Sequence, residues 1–160
     1  MSLLPSVKDL RAKLKRNERL IGIDPGAKIV GVALSDVRLT LATPFAGLKR
    51  RKMKANAIEI LSLALKENAG GLVVGLPLSM DGTAGPAAQA ARDWALALSE
   101  MTGLPAAMYD ERLSSAAVNR FLINEADLSR HKRANAVDAM AAAWMLQAAL
   151  DASVPAPDDQ

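Results

Sequence analysis

The chain has 160 residues, 51% of them apolar, which is enough for one domain with a sizeable core. It has no cysteine, so disulfides, thiolate zinc sites and cysteine nucleophiles are excluded, and a reducing cytoplasm suits it. No apolar run reaches membrane-span length, Leu3-Leu4-Pro5 is too short for a signal-peptide core, and the net charge of +3 hides a marked segregation of basic residues.

Residues 6–16 read as an amphipathic helix with Val7, Leu10 and Leu14 on one stripe, a Ser6-x-x-Asp9 capping box, and a mostly basic outer face. Leu20 to Asp24 is a short apolar run suited to a strand buried on both faces. Pro25 and Gly26 predict a tight turn after it. Ile29 to Asp36 predicts a second strand antiparallel to the first, and Leu41 to Ala46 a third, ending before the basic cluster Lys49, Arg50, Arg51, Lys52 and Lys54.

Lys54 to Asn68 has helical period through Ile58, Leu61 and Leu65, with Gly70-Gly71 as its stop. Leu72 to Gly75 is another buried-strand run, followed by a long loop to Gly85. Pro86 suits a helix first turn, and Ala90, Trp94, Leu98 and Met101 mark the expected apolar face. Ala106 to Tyr109 predicts the last strand, delivering Asp110 and Glu111 at its carboxyl end. Ser114 caps a short helix through Leu122, and residues 135–150 form the final helix, with Val137, Ala141, Trp144 and Ala148 inward. Three meandering strands followed by alternating helix and strand predict an α/β fold, a ribonuclease-H-like mixed five-stranded sheet with helices on both faces. Residues 1–18 form a basic N-terminal helix or extension, 19–150 the main domain, and 151–160 a disordered tail.

Three carboxylates carry the candidate chemistry. Asp24 ends a buried strand where a glycine lets a ligand approach, and ligand sites in open α/β sheets lie at carboxyl strand ends. It could equally start the Pro25-Gly26 turn through its own hydrogen bond. Glu111 follows the last strand; as a first-turn helix acid it would need no catalytic role. Asp138 could pair with Asn135 as a helix cap. Gathered together, the three acids would be costly without divalent metal, which points to metal-dependent phosphate chemistry. Arg112 could pair with a carboxylate or a phosphate. Lys49, Arg50, Arg51, Lys52, Lys132 and Arg133 are placed to grip a polyanion, or else form an ordinary solvated surface. His131, the one histidine, is assigned no role, and no aromatic stacking platform is evident with 3% aromatic content.

At these residues the chain resembles the YqgF family, Holliday-junction-resolvase-like nucleases on a ribonuclease-H fold. Four ordered blocks between Leu20 and Leu150 carry the resemblance: IGIDPG-x-K-x-x-GVALSD (Ile21 to Asp36, with Lys28), GLPLSMDG-x-x-GP (Gly75 to Pro86), DERLSS (Asp110 to Ser115), and KR-x-x-x-VDAMAA ending at Ala142. It implies a cytoplasmic bacterial nuclease of structured nucleic acid, maturing the 5′ end of precursor 16S ribosomal RNA, with branched DNA as the alternative substrate. A pre-ribosomal particle would be a partner, no membrane is involved, and monomer and homodimer are both open. The family's acids map onto Asp24, Glu111 and Asp138, while Lys28 joins the other cations as a nucleic-acid contact. Pro25, Ile29 and Ser114-Ser115 depart from the family's usual tyrosine, arginine and threonines, and the missing arginine removes one substrate contact.

The expected mechanism is two-metal phosphodiester hydrolysis with Mg2+ or Mn2+ held by the three acids, hard oxygen donors favouring these ions over zinc. Two rivals are an actin-like ATPase, for which a second lobe would be needed, and a non-catalytic RNA-binding ribosome-assembly factor.

Overall fold

A computed structural model describes residues 3–76, 85–110 and 130–155, with the backbone alone for 130–136. The elements are α1 (Val7–Lys13), β1 (Arg19–Pro25), β2 (Ile29–Ser35), β3 (Ala42–Lys49), α2 (Met53–Glu67), β4 (Ala69–Leu76), α3 (Pro86–Thr102), β5 (Ala106–Asp110) and α4 (Arg130–Ala152). The strands form one mixed sheet in the order β3-β2-β1-β4-β5. The first three strands pair antiparallel, and β4 and β5 add parallel to β1. This is the five-stranded ribonuclease-H-like arrangement expected from the order of elements.

Alternation along the strands divides the core between the two faces. Leu20, Ala33, Val73 and Ala107 face α4 and α1, while Ile21, Ile23, Val32, Leu72 and Val74 face α2 and α3. Glycine lets α4 lie close on its face. A Cβ on Gly22 would come 2.8 Å from Leu146 Cβ, and one on Gly31 would run into the Asp138 carbonyl oxygen. Gln147 fixes the outer end of the same contact, accepting from Ala42 N at 2.9 Å and donating to Thr40 O at 2.8 Å.

The helix faces differ from the sequence expectation. On α2 the buried stripe is Asn56, Ala57, Ile60 and Ala64, whereas Ile58 and Leu65 are 61% and 76% exposed. On α3 it is Ala88, Ala91, Ala95 and Leu98, with Ala90 exposed and Met101 55% exposed. On α4, Met145, Leu146, Ala149 and Leu150 are buried, and Trp144 and Ala148 are only half-buried. On α2 and α3 alanines supply much of the sheet contact, so bulk misidentifies the inner face there, whereas on α4 the expected Val137 and Ala141 are buried alongside the large residues.

Several boundaries also move. Ser6 caps α1 as expected, accepting from Asp9 N at 3.1 Å, but the helix ends at Lys13 and Leu14 is its C-cap. Strand β3 runs on through Lys49 into the basic cluster. Helix α2 is stopped by Asn68 in the left-handed region (φ 55°), so Gly70 and Gly71 belong to β4. Residues 151–155 are not a loose tail. Helix α4 reaches Ala152, Ser153 is buried, and Arg11 donates to both Leu150 O and Ser153 Oγ at 3.2 Å, satisfying a carbonyl at the helix end. Ahead of α1, Leu4 N donates to Ala106 O at 2.9 Å and covers the outer edge of β5. The short helix expected after Ser114 and the loop from Pro77 to Ala84 lie outside the described residues.

Candidate active site at the carboxyl end of β1

One end of the sheet collects the candidate residues. The carboxyl ends of β1, β3, β4 and β5 lie there, together with the amino end of β2 and the beginning of α3. Asp24 sits at this end of β1, only 4% exposed. Because Gly22 packs on Leu146, alternation turns Asp24 toward the α4 side of the sheet as well.

Asp138 reaches the same place from α4. Asp24 pairs with Gly31 in the β1–β2 register, and the Asp138 backbone lies directly over Gly31, with its Cβ 3.2 Å from where a Gly31 Cβ would be. Its carboxylate oxygen Oδ1 lies 3.5 Å from the Cβ position of Gly26. Two acids that are 114 positions apart (138 − 24) are therefore gathered around the first β-turn of the sheet. Asn135 and Asp138 do not cap a helix start, because α4 already begins at Arg130. That removes the structural explanation available to Asp138 from sequence.

The third acid, Glu111, lies outside the described residues, as does Arg112. Its predecessor Asp110 ends β5 and pairs with Leu76 of β4, the strand between β1 and β5. Among the described residues no group of three acidic or imidazole ligands is close enough to hold a metal ion. What they do provide is two carboxylates carried to the same strand end, one of them deeply buried, and hard oxygen donors of this kind fit Mg2+ or Mn2+.

Cations surround this end. Lys28 is exposed in the β1–β2 turn, and its carbonyl accepts from Arg50 N at 2.8 Å. Lys49 closes β3, and Arg50, Arg51 and Lys52 follow it, all exposed. Lys132 and Arg133 fall in the first turns of α4. Lys52 occupies the N-cap of α2 with no side-chain capping bond and no acid in the first turn. The helix dipole disfavours cations at that position, so these charges do not serve the stability of α2.

Two features of the site were not anticipated. Asn56 is fully buried and organises the basic segment: its Oδ1 accepts from Arg51 N at 2.8 Å, and its Nδ2 donates to Lys49 O at 3.1 Å. The only signal in the sequence was a polar residue on the alanine stripe of α2. The second is the contact of Arg50 with Trp94, 44 positions away (94 − 50), with the guanidinium carbon 5.5 Å from the ring centroid. Nothing local in the sequence marks that pair.

Comparison with known proteins bears on the same region. A family model described as "RuvX: Holliday junction resolvase" matches residues 18–152. A protein of Acidiphilium cryptum named "Putative pre-16S rRNA nuclease" is 62% identical over 152 residues, covering 94% of this chain and 96% of its own. A protein of Gluconacetobacter diazotrophicus with the same name is 60% identical over 144 residues, covering 90% and 94%. Among solved structures, T. thermophilus RuvC in complex with Holliday junction substrate superposes with a TM-score of 0.50 at 18% identity, covering 84% of this chain and 94% of that one. That likeness concerns the fold, and it agrees with the ribonuclease-H-like sheet. Matched by the family model over 18–152 and by relatives of such identity along nearly its whole length, the chain belongs to the RuvX family, the YqgF-like group to which its four motif blocks pointed.

Proposed function

We propose that this chain is a cytoplasmic, divalent-metal-dependent nuclease that trims the 5′ end of precursor 16S ribosomal RNA. The observation that carries the reading is the approach of Asp138 to Asp24 at the basic end of the sheet, arranged by Gly31 and Gly26. Burying a carboxylate and bringing a second one toward it costs several kcal/mol unless positive charge offsets them, on the order of the penalty for one desolvated ion. Asp24, Asp138 and Glu111 would hold Mg2+ or Mn2+. When bound, the metal supplies Lewis-acid activation of the attacking water and of the leaving 3′ oxygen.

The chain's own residues do the positioning. The buried setting of Asp24 restricts its carboxylate, and the glycines keep the backbone clear so that α4 brings Asp138 to it. Lys28, Lys49, Arg51, Lys52, Lys132 and Arg133 bind flanking phosphates, and Arg112 is assigned the same role next to Glu111. The ribosomal substrate is supported by the names of the relatives more than half identical to this chain. Branched DNA is the second reading, favoured by the description of the matching family model.

The test sets precursor 16S ribosomal RNA beside a four-way DNA junction, each incubated with wild-type protein and with Asp24→Asn in Mg2+ or Mn2+. The RNA should be cut by wild type only, while Asp24→Asn still binds it. Preferred cutting of the junction would shift the assignment to branched DNA, and metal-dependent cleavage by Asp24→Asn would remove Asp24 from the chemistry.

A further inference from the structure

Arg50 stands apart from the cations beside it. Its Nη1 donates to Gly26 O at 3.0 Å, its backbone N–H donates to Lys28 O at 2.8 Å, and its guanidinium lies against the Trp94 ring. The side chain is nonetheless exposed. A long side chain held this way has already given up much of its rotamer freedom before any ligand arrives, so binding to it costs less entropy.

Arg50 and Trp94 line a cavity of about 250 Å3 together with Pro25, Ala27 and the α3 alanines Ala87 and Ala91. Pro25 directly follows Asp24 at the end of β1, so the cavity lies at the same end of the sheet as the candidate carboxylates, on its α3 side, whereas Asp24 faces α4. Among the described residues its walls are methyl groups, a proline ring and an indole, and its one charged group is the guanidinium. Such walls serve a phosphate poorly, and the guanidinium repels a cationic ligand. A flat, uncharged ring with apolar faces and a polar edge suits them. The volume lies just under the roughly 300 Å3 at which sites for drug-sized ligands begin, so a single ring suits it better than a larger ligand.

We propose that this cavity is a nucleobase subsite, receiving one unstacked base of the RNA next to the scissile phosphodiester and packing it against the Arg50–Trp94 pair. The proposal rests on the nuclease reading of Asp24 and Asp138 for what lies next to the base. It assigns Arg50 a flat stacking surface in place of a phosphate contact. It also selects the substrate: cleavage occurs where a base is free of the helical stack, in a single-stranded leader or at an unpaired position, and not within continuous duplex.

The test is a binding measurement on the full chain carrying Asp24→Asn, so that the RNA survives, and Trp144→Phe, so that Trp94 is the remaining one of the two tryptophans. The probes are single-stranded RNA oligonucleotides spanning the precursor 5′ end, in which one nucleotide at a time is made abasic. Trp94 fluorescence should change on binding, and one abasic position should weaken affinity about tenfold, equivalent to about 1.4 kcal/mol and within the range of base–aromatic stacking. That position-specific loss should vanish in Arg50→Ala and equally in Arg50→Lys, which keeps the charge but not the plane. Equal affinity along the whole series, a loss that persists in Arg50→Ala, an Arg50→Lys variant that behaves as its parent, or no RNA binding would each overturn the proposal. The Trp144→Phe chain with Asp24 intact, held in EDTA, gives the same measurement if Asp24→Asn disturbs folding. Because affinity is read without cleavage, a wild-type chain that binds in this pattern but cuts nothing would sink the nuclease reading and leave the subsite standing.

Discussion

Replacing Gly31 with alanine separates the geometry of the acid pair from general stability. A Cβ at Gly31 would sit 2.6 Å from the Asp138 carbonyl carbon, besides running into its oxygen. Carbon–carbon contact needs about 3.5 Å, so helix α4 must withdraw by about 1 Å at Asp138. Overpacking of this kind costs about 1–3 kcal/mol, which for a chain of this size lowers Tm by about 2–12 °C. A 1 Å misplacement at a reacting centre costs about 100-fold in rate. Gly22→Ala is a milder control on the same helix, since its Cβ would also press on α4, 2.8 Å from Leu146 Cβ. Leu146 is two turns further along α4, about 12 Å from Asp138. Both variants should lose Tm in a thermal melt, Gly31→Ala the more, but only Gly31→Ala should lose about 100-fold in kcat for RNA cleavage at a temperature where both are folded, with KM changing little. A folded Gly31→Ala enzyme that cleaves like Gly22→Ala would refute the placement of Asp138 in the site.

Three further outcomes follow from the same contacts. Asn56→Ala removes the partners of the part-buried Arg51 N–H and Lys49 carbonyl and empties a buried site, and should cost about 1 kcal/mol in urea unfolding with an unchanged m-value; a loss within experimental error would mean that water replaces the amide. Burial raises the pKa of Asp36, but bonds from Leu41 N, Thr40 N and Thr40 Oγ1 outweigh it and hold the carboxyl below its ordinary value. Its stabilisation is therefore complete above the unfolded value of about 3.9 and is lost as pH falls through the folded value, so Asp36→Asn should flatten the acid limb of a plot of Tm against pH, and an unaltered limb would exclude Asp36 as its source. Neutralising Arg51 or Lys52 to Gln should reduce the slope of log affinity for RNA against log salt by about 0.7 each, and unchanged slopes would take these two residues out of the interface.

The strands were legible because β1, β2 and β4 are uninterrupted apolar runs, and chain order alone then constrains their pairing. The faces of the helices were not, because hydrophobic periodicity weights large side chains, whereas Ala57, Ala64, Ala91 and Ala95 make the actual contact with the sheet. The beginning of α4 was also hidden, since Arg130-His131-Lys132-Arg133 carries no apolar stripe, and Ser129 ahead of it, a capping residue type, is a weak signal alone. Asp24 could be singled out locally, as a charge ending a buried strand. The closeness of Asp138 depends on Gly31 and on the path of α4, which no local pattern encodes. The Arg50–Trp94 contact joins a loop to a helix on the other side of β4 in sequence, and so the cation cluster looked uniform until folding distinguished one member of it.

Whether Asp24, Glu111 and Asp138 share divalent cations is tested most directly by titrating Mn2+ into wild-type protein and into Asp24→Asn, Glu111→Gln and Asp138→Asn, following the electron paramagnetic resonance signal of the free ion. Wild type should take up Mn2+, and each substitution should weaken that uptake by about tenfold or more. Uptake at wild-type strength by all three variants, or none by the wild type, would contradict it.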